Sequence, residues 1–225
     1  MVLPAYNEAE NIKEAVDDFL SVDCVQEVIV VDNNSTDNTA DLVRQTDARL
    51  VEESQQGYGH AVQRGLQEAH NEYVITAEPD GTFLARDVRK LLAYSQDFQI
   101  VCGTRTTKEL IWENANMRWL NRAGNIIVAK LLQFLFGGPS LSDCGCTLRL
   151  IHRDALEKIR EKFTVGGSHF LPEMVILGLL NDISLIEVPV NYKDRIGQSK
   201  ITGDWSGLFT TGSSMVGLIL SYFLS

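Results

Sequence analysis

Cysteine is sparse, positive charge is sparse in the first half, and nothing at the amino terminus reads as a leader. Each shortage excludes something. Four cysteines in 225 residues are too few for a disulfide framework at this length. Cys144-Gly145-Cys146 has no second Cys or His pair at zinc spacing, so Cys24, Cys102, Cys144 and Cys146 are expected to be reduced and structural. Met1-Val2-Leu3-Pro4 carries neither a basic region nor a long apolar one, so no secretory leader is expected. Lys and Arg total 20 against 30 Asp and Glu, a net charge of −10. The deficit is concentrated: residues 1–102 carry 7 basic against 19 acidic side chains, and residues 103–162 carry 10 against 6. An acidic first half does not suit nucleic acid, whose affinity rests on neutralised phosphates. The basic middle suits a local anion. Apolar residues make up 44%, enough at this length to bury the core of one large domain, or of one domain with an appendage.

Over the first hundred residues, apolar runs of strand length alternate with segments of helical period. Val2-Leu3, Glu27 to Val31, Ala48 to Val51, Tyr73 to Ala77 and Gln99 to Cys102 read as strands. Glu8 to Leu20, Asp37 to Thr46, Gly57 to His70 and Val88 to Ser95 read as helices. Such alternation implies βαβ units with right-handed crossovers: an α/β fold built on a Rossmann-like, mostly parallel sheet with flanking helices.

The carboxyl ends of those strands carry the chemistry. Pro4-Ala5-Tyr6-Asn7-Glu8 follows the first, Asp32-Asn33-Asn34-Ser35-Thr36-Asp37 the second and Glu78-Pro79-Asp80-Gly81 the fourth. In an open α/β sheet that edge is where ligands bind. Two carboxylates emerging together, Glu78 and Asp80, repel each other unless a cation sits between them, and Mg²⁺ or Mn²⁺ held by one or two carboxylates commonly bridges substrate phosphates. Asp32 is placed to accept from a base or ribose. Ser35 and Thr36 are expected to cap the next helix. Gly57-Tyr58-Gly59-His60-Ala61 has the form of a phosphate-cradling turn at a helix start.

These motifs together resemble family 2 glycosyltransferases of GT-A fold, and within them the dolichol-phosphate mannosyltransferase-like branch. Gly103-Thr104-Arg105, Asp143 to Arg149, and Val188-Pro189-Val190-Asn191-Tyr192 followed by Arg195, Gly197, Ser199 and Lys200 extend the likeness over nearly the whole chain. The resemblance implies that Pro4, Ala5, Tyr6, Glu8, Asp32 and Asn34 hold the nucleotide of a nucleoside-diphosphate sugar. It implies that Asp80 and Glu78 hold the Mg²⁺ or Mn²⁺ on its diphosphate. Arg105, with Arg118 or Arg122, is implied at an acceptor phosphate, and Arg195 and Lys200 at the donor phosphates. Three positions depart from the branch: Glu78 replaces the usual first Asp, Thr82 stands where a Gln is frequent, and Asn121 stands in place of a Ser.

Chemistry bears on the acceptor independently. An alcohol needs a general base, for which Asp143 and Glu173 are the candidates. A phosphate monoester, with a second pKa of about 6, needs none. Arg118 and Arg122 lie four apart, on one face of a segment of helical period. The expected reaction is inverting transfer of a sugar to a polyprenyl (dolichyl-type) phosphate, with a glycan hydroxyl as the alternative acceptor. A non-catalytic nucleotide-binding module is the alternative of another class. A sugar nucleotidyltransferase would call for a Gly-rich loop after the first strand, where this chain has Pro4 to Glu8. Residues 1–203 are expected to form the transferase domain, and 204–225 an amphipathic then apolar helix. Its run Met215 to Leu224 is too short to span a bilayer and suits an interfacial helix, a core helix or part of a longer span. A cytoplasmic protein, peripheral to the membrane surface, is the expected setting.

Overall fold

The computed structural model describes residues 1–113, 115, 119–196 and 205–224. Seven strands form one sheet: β1 (Val2–Ala5), β2 (Ile29–Asp32), β3 (Arg49–Glu52), β4 (Tyr73–Thr76), β5 (Ile100–Thr104), β6 (Arg149–His152) and β7 (Leu185–Pro189), in spatial order β3-β2-β1-β4-β6-β5-β7. All pairs are parallel except those made by β6, which runs antiparallel to both β4 and β5. The helices are α1 (Ile12–Leu20), α2 (Thr39–Val43), α3 (Tyr58–Glu68), α4 (Val88–Tyr94), α5 (Trp119–Phe136), α6 (Arg153–Ile159), α7 (Phe170–Leu180) and α8 (Trp205–Leu224).

Alternation along the strands divides the core between the two faces. Val2, Ile29, Val31, Val74, Ile100 and Ile151 pack with α3, α6, α7 and the buried residues Met215 and Ile219 of α8. Leu3, Val30, Ile75, Val101 and Leu150 pack with α1 and α4 on the other side. Because successive side chains point to opposite faces, strands buried on both sides read as continuous apolar runs, which is how four of them announce themselves. Helix α7 is buried from Phe170 through Gly178; apolar on all sides, it runs through the core rather than over it. Helix α8 packs against α5 and α7. No helix among the described residues is long and apolar enough to cross a membrane.

Strand order reverses beside β1: the chain steps outward through β2 and β3, then returns to place β4 on the opposite flank of β1. A crevice opens at such a switch point outside the carboxyl ends of the strands. Register brings the motifs level there. Ala5 pairs with Asp32, so those two strands end together. Thr76 pairs with Val2, so residues 77–80 run on beside β1 and present Glu78 and Asp80 near its end.

Candidate active site

The loops after β1 and β2 are stitched to each other. Asn7 and Asn34 both adopt positive φ, 53° and 60°, a left-handed conformation that Asn tolerates better than most residues. Asn7 N–H donates to Ser35 Oγ at 2.9 Å, Thr36 N–H donates to Asn7 Oδ1 at 2.7 Å, and Glu8 N–H donates to Thr39 Oγ1 at 2.8 Å. Ser35 and Thr36, expected as helix caps, instead tie the two strand ends together; the cap position of α2 is Asn38, with no side-chain cap bond. Asn33 supports the floor: its Nδ2 donates to Glu53 O and Gln55 O, and its Oδ1 accepts from Gly57 N–H.

The result is a cavity of about 220 Å³ lined by Pro4, Ala5, Tyr6, Glu8, Asn33, Gln56, Tyr58, Ala61, Glu78, Pro79 and Arg195. Four of the expected nucleotide residues are therefore together on its wall. Asp32 and Asn34 are not: Asp32 is buried, and Asn34 is exposed with its Nδ2 donating to Ser54 O, while Asn33 lines the cavity. The motif Gly57 to Ala61 serves packing rather than forming a free anion cradle. A Cβ on Gly57 or Gly59 would lie 2.3 Å from the carbonyl oxygen of Gly166 or Val165, respectively, and His60 N–H is already used by Gly166 O at 3.2 Å.

At the far end stand the carboxylates. Asp80 is fully buried; its Oδ1 accepts from Thr82 N–H at 3.0 Å and Thr82 Oγ1 at 2.6 Å, so Thr82 orients the group. Asn11 Nδ2 holds Pro79 O at 2.8 Å. Burial foremost, and Asp80 beside it, raise the Glu78 pKa well above the carboxylate range, with Arg195 opposing. Arg195 Nη1 lies 3.2 Å from Asp80 Oδ2 and 3.9 Å from Glu78 Oε2, and its Nη2 lies 3.4 Å from Glu8 Oε1. Several polar atoms here are enclosed without a hydrogen-bond partner: Asp32 Oδ1, Tyr58 Oη, Asp80 Oδ2 and Arg195 Nε. Buried polar groups are normally satisfied, so this concentration marks a site that a ligand completes. The residues fit a divalent cation on a diphosphate: oxygen donors only, one of them enclosed and unbonded, in an acidic pair already drawing a guanidinium. Among the described residues, no three His, Cys, Asp or Glu form a metal cage of their own.

Beyond the triplet, β5 delivers Arg105. Its Nε and Nη2 donate to Asp143 at 2.8 and 2.9 Å, its backbone N–H donates to the same carboxylate at 3.0 Å, and its guanidinium lies 5.3 Å from the Tyr192 ring centroid. Glu187 fixes the loop that carries Asp143, accepting from Ser142 N–H, Ser142 Oγ and Asp143 N–H at 2.7 to 2.8 Å. Asn125 Oδ1 of α5 and Arg105 Nη2 lie 3.3 and 3.4 Å from where a Cβ on Gly145 would sit, so α5 approaches Arg105. Arg122 is one turn earlier on that helix, on the same face, with an enclosed, unbonded Nε.

The two candidate bases are both occupied. Asp143 is fully buried under Arg105, with Gly145 N–H a further donor. Glu173, also fully buried, accepts from Thr164 N–H (2.9 Å), Thr164 Oγ1 (2.6 Å), Val165 N–H (3.1 Å) and Tyr222 Oη (2.9 Å). It braces the loop that meets Gly57 and Gly59, and pins α8. Arg118 and Lys200 lie outside the described residues, as do Gly197 and Ser199. Cys102, Cys144 and Cys146 are buried and Cys24 is exposed; burial pushes the Cys144 and Cys146 thiols up to about 12.

Sequence reasoning missed Asn11, Gln56 and Glu187 altogether, and Asn33 and Tyr58 as cavity residues. Glu187 alone had a local signal, a carboxylate inside an otherwise apolar strand.

A family model described as Glycosyl transferase family 2 matches residues 1–160. The chain belongs to glycosyl transferase family 2. This family 2 glycosyltransferase is 32% identical over 222 residues to a dolichyl-phosphate hexose transferase of Haloferax volcanii, an alignment that takes in 98% of this chain and 93% of the relative. It is 32% identical over 197 residues to the glycosyltransferase AglJ of the same organism, covering 87% of this chain and 63% of that protein. Among solved structures, glucosyl-3-phosphoglycerate synthase of Mycobacterium tuberculosis, crystallised with Mn²⁺, uridine diphosphate and glucosyl-3-phosphoglycerate, superposes with a TM-score of 0.76 at 19% identity, over 98% of this chain and 78% of that one. The GT-A fold expected from the motifs is the fold observed.

Proposed function

We propose that this family 2 glycosyltransferase moves a hexose from a nucleoside-diphosphate sugar to a polyprenyl phosphate, with inversion, at the cytoplasmic face of a membrane. Engagement of both candidate bases carries this reading. Asp143 is committed to Arg105 and Glu173 to the 164–165 backbone, so an alcohol acceptor finds no free carboxylate at either position. A phosphate monoester brings its own nucleophilic oxygen, mostly deprotonated near neutral pH. The likeness to a dolichyl-phosphate hexose transferase supports the same class of acceptor.

Asp32 and Asn33, with the cavity wall of Pro4, Ala5 and Tyr6, hold the nucleoside. Mg²⁺ or Mn²⁺ at Asp80 and Glu78 would neutralise the departing diphosphate. Arg195, largely buried beside the acidic pair, would stabilise the charge of the same diphosphate as a cation already fixed in place. Arg105, its fork oriented by Asp143, takes the acceptor phosphate together with Arg122. Membrane-surface placement is supported by apolar side chains left outside on α5 and α8: Ile127 is 67% exposed, Phe134 85% and Leu224 81%. Phe136 and Phe223 join the two helices edge to face.

Turnover of UDP- and GDP-hexoses with synthetic polyprenyl phosphate, beside an oligosaccharide acceptor, tests the reading. Product on the lipid phosphate alone is expected. Product on the oligosaccharide alone would replace the acceptor, and nucleotide binding without turnover on either would make the chain a binding module.

A further inference from the structure

The acidic centre at the ends of β1 and β4 already holds a cation, and that cation is a side chain. One guanidinium, Arg195, stands 3.2 Å from Asp80, 3.4 Å from Glu8 and 3.9 Å from Glu78, serving carboxylates from two strand ends. The segment carrying it is strapped onto the triplet by the backbone. Asn191 N–H donates to Asp87 Oδ2 at 2.6 Å, Lys193 N–H donates to Thr82 O at 2.8 Å, and Ile196 N–H donates to Asp80 O at 2.9 Å. Ile196 closes over Gly81, with Cδ1 3.0 Å from where a Cβ would stand. Yet the fit is incomplete. Asp80 Oδ2 and Arg195 Nε are enclosed without hydrogen-bond partners, although Asp80 Oδ2 lies within charge-pairing distance of Nη1. Enclosed polar atoms left unbonded cost free energy, so a better partner for either side would displace the arrangement.

We infer that Arg195 occupies the divalent cation's place in the ligand-free protein, so that the cation enters only together with the donor, whose diphosphate takes over the guanidinium. This rests on the cation-and-donor reading above. A divalent cation arriving alone must displace Arg195 and leave it beside a like charge, whereas the diphosphate offers a guanidinium paired, charge-assisted acceptors. Cation and donor affinities are then coupled, and the coupling is reciprocal.

The test uses Arg195→Gln, which removes the charge, and Arg195→Lys, which keeps it. Mn²⁺ binding without nucleotide is followed by electron paramagnetic resonance, and UDP and GDP binding in Mn²⁺ by calorimetry. Arg195→Gln is expected to bind Mn²⁺ alone roughly tenfold tighter or more than the parent, since a like charge has left the site, while Arg195→Lys stays as weak as the parent. Nucleoside diphosphate affinity is expected to fall roughly tenfold in Arg195→Gln, as the paired contact is lost. Unchanged or weaker binding of Mn²⁺ alone by Arg195→Gln, with nucleotide-dependent Mn²⁺ uptake intact in the parent, overturns the exchange and leaves the donor reading standing. Failure of the parent to take up Mn²⁺ even with nucleotide overturns both.

Discussion

Replacing Glu173 by Ala separates a brace from a base. The carboxylate is fully buried and accepts four hydrogen bonds: two from backbone N–H groups of residues 164 and 165, one from the Thr164 hydroxyl and one from Tyr222. The hydroxyls can turn to other partners, but the Val165 N–H cannot. The Val165 bond is buried, whereas Thr164 is exposed and its N–H can turn to water. One buried donor left unsatisfied costs about 1–3 kcal/mol, so with the small cavity left by the side chain the loss amounts to about 2–4 kcal/mol. At roughly 2–4 °C per kcal/mol for a domain of this size, the melting temperature is expected to fall by on the order of 10 °C. Circular dichroism melts give the stability, and turnover measured well below the transition gives the chemistry. Tyr222→Phe removes one donor and is expected to cost about 0.5–1.5 kcal/mol in the parent and much less in Glu173→Ala, a coupling that a double-mutant cycle reads directly. An Ala variant that melts with the parent but loses turnover a thousandfold would refute the brace, and would restore Glu173 as the base for an alcohol acceptor.

Three further outcomes are expected. Asp80→Asn removes the Mn²⁺-dependence of UDP or GDP binding in calorimetric titrations without lowering the melting temperature; unchanged metal dependence would remove Asp80 from the cation site. Arg122→Ala raises the KM for polyprenyl phosphate at least ~tenfold, as a charge-assisted contact is lost, while donor affinity holds; equal effects on both substrates would undo its acceptor role. Glu78 supplies a pH test. Burial first, and Asp80 next, raise its pKa in the folded chain, so above the ordinary Glu value of about 4.3 the folded state keeps a proton that the unfolded state has released. The shift costs nothing in acid, and the penalty grows as pH rises from the ordinary value to the raised one, above which it is constant. Glu78→Gln, permanently neutral, is expected to melt above the parent at about pH 9 and alongside it below about pH 4; parallel curves across that range would show that no such shift exists.

Local patterns in this chain carried the fold class and the position of the site. The apolar runs at 27–31, 73–77 and 99–102 announce buried strands because both faces of the sheet are covered. The polar residues after β1, β2 and β4 stand out because a parallel sheet presents those ends at one edge. Two strands were not legible. In β6, Arg149–His152 is flanked by charge, and its antiparallel insertion between β4 and β5 depends on the course of the chain after α5. The segment that becomes β7 was visible as a motif rather than as a strand.

Pairings between residues distant in sequence were beyond such reading. Whether Asn33 or Asn34 faces the cavity depends on a left-handed backbone at residue 34. Whether Gly57 and Gly59 cradle phosphate or admit the 165–167 backbone depends on a loop a hundred residues away. Composition and period suffice for an α/β fold with an acidic strand edge, since those properties are local and additive along the chain; the transferase reading came from the resemblance of the ordered motifs to family 2 glycosyltransferases. Folding alone commits Asp143 to Arg105, Glu173 to the 164–165 backbone and Arg195 to the acidic triplet, because a charge's partner is set by which surfaces the packed core brings within a few ångströms of it.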